Sequence, residues 1–114
     1  MASPVLRRPE HTPPLRSLGE LLAISLSDRR PLRASFFDFR GEHEIYFDQG
    51  QVMHARYGEL EGSAAVVHMI AHPAHRFRIE LGRAAPRRSV VVSWAWLCND
   101  ARRHTEATHS SVDG

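Results

Sequence analysis

The chain has no lysine. All fifteen of its Lys/Arg positions are arginine, and thirteen acidic residues offset them to a net charge of +2. A strongly basic nucleic-acid binder is therefore not indicated by charge. The arginine pairs 7/8, 29/30, 87/88 and 102/103 are scattered along the sequence rather than gathered into a stripe. The arginine skew, with abundant alanine and histidine, is what a GC-rich genome produces. Cysteine is nearly absent. The lone Cys98 excludes a disulfide framework within the chain and points to a reducing, cytoplasmic setting. No segment reaches the roughly 20 apolar residues that span a bilayer. The first fourteen residues hold Arg7, Arg8, Glu10 and four prolines where a secretory signal would hold an apolar centre. Gly58 and Gly62 lack the Lys-Ser/Thr partner of a phosphate loop.

What is present suits one globular domain. The 114 residues are 42% hydrophobic and 25% charged, enough to bury a core without disulfides or metal. Residues 1–14 read as a disordered Pro/Arg-rich arm, 15–104 as a single domain, and 105–114 as a polar, disordered tail. Ser17 and Glu20 form a capping-box pattern, followed by Leu18, Leu21, Leu22, Ser25 and Leu26 at helical spacing. Pro31 stops that helix.

Three strands are expected next. Residues 32–39 are rich in phenylalanine, 40–43 form a turn, and 44–48 alternate with Ile45 and Phe47 on one face. Gln49-Gly50 is a tight turn into the return strand 51–57. Residues 58–62 read as a linker. A second helix is predicted over 61–72, with Ala65, Val66, Met69 and Ile70 on its apolar face and Pro73 ending it. Residues 76–81 alternate, with Phe77, Ile79 and Leu81 inward. Val90, Val91 and Val92 make a short β-branched strand, and Ser93 caps a last helix to about residue 104 with Trp94, Leu97, Cys98 and Ala101 inward. The expected order is α-β-β-β-α-β-β-α: an α+β fold with about five antiparallel strands and three helices on one face.

The most specific stretch is Phe47-Asp48-Gln49-Gly50-Gln51-Val52-Met53-His54-Ala55, continuing through Gly58, Gly62 and Ala65 to Phe77. It resembles the PATAN domain, also catalogued as domain of unknown function 4388 and named for the amino-terminal region of PatA-type response regulators. The end of the chain is similar too, with Val90 to Val92 followed by Leu97 to Arg103 and Glu106. The resemblance covers roughly residues 16 to 106. It implies a non-catalytic bacterial signalling module that binds protein partners, with links to response regulators, small GTPases and pilus or motility machinery. It implies no cofactor.

Each chemical candidate has a plain structural alternative. His68 and His72 are spaced i, i+4, and with His75 could supply three metal ligands, although incidental surface histidines in a His-rich chain are the preferred reading. His54 would share a face with Val52 and Arg56, as a proton donor or, preferably, as a hydrogen-bonded strand residue. Cys98 is expected in the core rather than as a nucleophile. Trp94 and Trp96 cannot point the same way on a helix, so Trp96 is the candidate contact for a protein partner or a homodimer. A nucleic-acid binder using the arginines and a metal protein using the histidines are the two alternative functions.

Overall fold

The computed structural model describes residues 16–113, with side chains as far as Thr105. The expected arm, residues 1–14, lies outside the described residues. Three helices and five strands follow in the order α1 (Leu18–Ser27), β1 (Leu32–Asp38), β2 (Gly41–Asp48), β3 (Gln51–Tyr57), β4 (Leu60–Glu61), α2 (Ser63–Ala71), β5 (Arg78–Leu81) and α3 (Trp94–Asp113). The strands form one antiparallel sheet in the order β4-β3-β2-β1-β5. The expected α+β class, strand number and helix number all stand.

Local chemistry explains the element boundaries. The capping box at α1 is closed in both directions: Glu20 N–H donates to Ser17 Oγ at 3.1 Å, and Ser17 N–H donates to Glu20 Oε1 at 2.8 Å. Gln49 (φ 52°) and Gly50 (φ 78°) both take positive φ, the two-residue hairpin that matches strand twist. Gly50 N–H donates to the buried Ser25 Oγ at 2.9 Å, which ties α1 to the β2–β3 turn. Leu26, expected on the apolar face, is 70% exposed and leans over that same turn. The β1–β2 turn is tighter than expected, at Phe39-Arg40, and leaves Phe37 and Phe39 exposed.

Strand pairing sets two faces. Leu32, Ala34 and Phe36 share one face with Ile45, Phe47 and His43, and all six are buried beneath the helices. Leu21 of α1, Val66 and Met69 of α2, and Leu97 and Ala101 of α3 complete this core. On the opposite face Arg33 reaches Glu44 Oε1 (2.7 Å), Glu80 Oε1 (2.8 Å) and Tyr46 Oη (3.2 Å).

Three expectations are corrected. First, the fifth strand is Leu60–Glu61 within the expected linker, and Val90 to Val92 form no strand. At the outer edge of β3, β4 takes only Arg56 and Tyr57, and the valine run makes no ladder against the rest. It is pinned instead where Ser89 N–H and Val90 N–H both donate to Met53 O. The order is therefore α-β-β-β-β-α-β-α, and α2 begins at Ser63 rather than Glu61. Second, register shifts between Tyr46/His54 and Phe47/Val52, so Met53 is the extra residue of a bulge. Val52 then joins Ala55 in the core, and His54 lies across the sheet from Val52 rather than beside it. Third, α3 continues to Asp113, so the backbone expected as a disordered tail from Thr105 is helical.

Candidate functional site

The site is a groove between α2 and α3. Gly62 (φ 77°) starts α2, with its N–H donating to Ala55 O. Helical periodicity then divides α2 into two sides. Ala65, Val66 and Met69 enter the core. Ser63, Ala64, Val67, His68, Ala71 and His72 form one wall of the groove. On α3, Ser93 Oγ accepts the Trp96 N–H at 3.1 Å as N-cap, and Trp96, Asp100 and His104 follow at i, i+4, i+8 to form the other wall. Leu60 of β4 closes one side. The volume is about 580 Å³, within the range of ligand sites. Ala64 and Ala71 keep the wall low, so another chain can approach the α2 backbone closely.

A stack of rings runs from the core into this groove. His43 and Tyr57 lie face to face with centroids 3.9 Å apart; Tyr57 meets His68 at 4.3 Å, and His68 meets His72 at 4.7 Å. The base of the stack is fixed by hydrogen bonds. Gly58 N–H donates to His43 Nδ1 at 3.1 Å, which places the ring proton on Nε2, where it is donated to Asp38 Oδ1 at 2.7 Å. Tyr57 Oη donates to Asp38 Oδ2 at 2.5 Å.

The Tyr57 hydroxyl, followed by the His43 imidazole and the Arg40 N–H, holds the Asp38 carboxyl well below the usual range, at about 2. The folded value lies below that of the unfolded chain, roughly 3.9, so Asp38 contributes stability above that pH. That contribution is lost as pH falls from about 4 to about 2. Tyr57→Phe removes the largest cause. The acid-unfolding midpoint, followed by circular dichroism, is expected to move to higher pH in that variant.

Burial pushes the His68 imidazole down, with further lowering from His72 and Arg40 and opposition from Asp38. The surroundings of His68 thus favour its neutral form.

The sequence candidates separate. Trp96 lines the groove and is 43% exposed. His68 and His72 meet there, but His75 does not join them. Among the described residues, no group of three or more His, Cys, Asp or Glu is placed to hold a metal ion. His54 is buried, with Nδ1 2.6 Å from Ser89 Oγ, and serves the β3 bulge. Cys98, expected in the core, is only half-buried, and burial raises its thiol. Phe47, Val52, Ala55, Ala65 and Phe77 are core, while Gly50, Gly58 and Gly62 all take positive φ. Of the arginine pairs, Arg30, Arg102 and Arg103 bond side chains two or three residues away, at Asp28, Asn99 and Asp100 respectively, and Arg87 bonds Glu61 of β4. Arg7 and Arg8 lie outside the described residues.

Sequence reasoning missed Ala64, Val67, Asp100 and His104 as one surface. The signal was available: Ala64/His68/His72 and Trp96/Asp100/His104 each repeat at four residues. What the sequence does not show is that the two stripes face each other. No helix among the described residues is long and apolar enough to cross a membrane. The chain matches no family model, no curated protein and no solved structure.

Proposed function

We propose that the protein is a non-catalytic docking module of the PATAN type, an adaptor in bacterial signalling that binds a protein partner through the α2–α3 groove. The observation that carries this reading is the groove itself: an apolar trough with low alanine walls and a half-exposed tryptophan at its rim. Partly exposed tryptophan in such a setting is the residue type that most often anchors a protein contact. The PATAN resemblance supports the same class, and favours a partner among response-regulator, small-GTPase or pilus and motility proteins. The histidine stack and the Asp38–His43–Tyr57 bonds serve as the rigid backing of the wall.

Trp96→Ala separates docking from folding. Trp96 is 43% exposed and lies outside the core cluster, so its loss is expected to lower unfolding free energy by only about 1–2 kcal/mol. Affinity capture from native lysate with wild-type and Trp96→Ala baits checks the reading. Proteins retained by wild type are expected to be lost from the variant. An unchanged set, or none retained by wild type, rejects it.

A further inference from the structure

We propose that the occupant of the α2–α3 groove is an amphipathic helix bearing a carboxylate, which it places against the His68–His72 pair; this rests on the docking reading above. Three observations point to that chemistry.

The first is shape. The groove lies between two helices, and its α2 wall carries Ser63, Ala64 and Ala71, small enough for a third helix to settle close to the backbone. Val67, Leu60 and Trp96 then meet apolar side chains at i, i+3, i+4 and i+7 of the incoming helix.

The second is charge. Among the described residues, three imidazoles, His68, His72 and His104, line the groove beside one carboxylate, Asp100. That carboxylate already faces Arg103 Nη2 at 3.3 Å. The groove therefore presents more imidazoles than acidic groups.

The third is the setting of His68. It is packed on Tyr57 from β3 and on His72 from its own helix, with Arg40, Asp38 and His43 acting from the β1–β2 side and Asp100 and His104 on the opposite wall. Apart from the carboxylates of Asp38, bonded to His43 and Tyr57, and Asp100, these neighbours are neutral or basic. An incoming carboxylate beside the His68–His72 pair favours the protonated imidazole, so docking takes up a proton and strengthens as pH falls through the histidine range.

The test works whichever protein the partner is. A displayed library of amphipathic helices, apolar at i, i+3, i+4 and i+7 and randomised at the flanking positions, is selected on the full chain at about pH 6. The enriched helices are expected to carry Asp or Glu at one fixed flanking position. Their affinity is expected to be roughly fivefold higher at about pH 6 than at about pH 7.5. His68→Gln, which removes the group argued to take up the proton, should flatten that pH dependence, and Ala64→Trp, at an exposed position, should abolish binding by filling the groove. Helices that need the open groove but carry no acid, or bind with no pH dependence, overturn the carboxylate inference and leave the docking reading intact. Failure to enrich any helix that Ala64→Trp blocks overturns both.

Discussion

Gly62→Ala is expected to cost on the order of 3 kcal/mol of unfolding free energy, the largest loss of any glycine-to-alanine change in the described chain. Two penalties combine. Gly62 sits at φ 77°, ψ −142°, a conformation that L-residues rarely adopt. A Cβ there would also stand 2.8 Å from Ser89 O, a backbone atom. Ser89 cannot step aside freely, because its N–H bonds Met53 O and its Oγ lies 2.6 Å from His54 Nδ1. The collision would thus press on the β3 bulge and on the start of α2 together. Gly82→Ala is the control: its φ is 85°, but no atom lies within 4 Å of the added carbon. It is expected to cost only about 1 kcal/mol. Urea unfolding of the two variants checks the contrast, as a shift in midpoint at unchanged slope.

Arg33→Ala is expected to be comparably severe, at about 3 kcal/mol. The side chain is 12% exposed and holds Glu44 and Glu80 from two neighbouring strands, with Glu42 at 3.6 Å. Removing it leaves several carboxylates crowded on one sheet face without their shared cation. Arg33→Lys is expected to recover less than half of the loss. One ammonium cannot reach Glu44, Glu80 and Tyr46 with the fixed fork of a guanidinium. The pH dependence has a definite sign. Burial pushes Glu44 up, but the Arg33 hydrogen bond and charge outweigh it and hold the group below the ordinary glutamate range; Glu80 is lowered first by Arg33. Stability from both is present above the unfolded value and lost as pH falls through the folded ones. In Arg33→Ala these carboxylates protonate more readily. The deficit relative to wild type is therefore expected to shrink below about pH 4.5, measured as unfolding midpoints across a pH series.

Much of the fold was legible because local chemistry and tertiary packing agree. The Ser17–Glu20 box, the Gln49-Gly50 turn and the alternation of Ile45 and Phe47 each specify the structure that forms. The two strand misreadings share a cause: each depended on what another strand was doing. Val90 to Val92 have strand composition, but beside them β3 bulges at Met53, whose carbonyl accepts both the Ser89 and the Val90 N–H in place of a regular ladder, and Leu60-Glu61 is too short to register as a strand in sequence. The face of His54 followed from strict alternation, which the Met53 bulge breaks. The hub at Arg33 was invisible for the same reason, since its partners lie 11 and 47 residues away.

The site was half legible. Trp96 and the His68–His72 spacing were apparent from helical geometry, whereas the opposition of α2 and α3 is a product of packing Ala65, Met69, Leu97 and Ala101 into one core. His75 follows Pro73 beyond the end of α2, so it does not continue the helical stripe. The Asp38–His43–Tyr57 support joins three strands and has no sequence spacing to announce it.

The most direct test of groove docking is photo-crosslinking in the native cell. A photoreactive amino acid is placed at Leu60 or Thr105, on the rim of the groove, and for comparison at Leu26 or Val91, exposed apolar positions that do not line it. Groove docking predicts a discrete crosslinked protein from both rim positions, lost when Trp96→Ala is added, and none from Leu26 or Val91. Crosslinks confined to Leu26 or Val91, or rim crosslinks that survive Trp96→Ala, would contradict it.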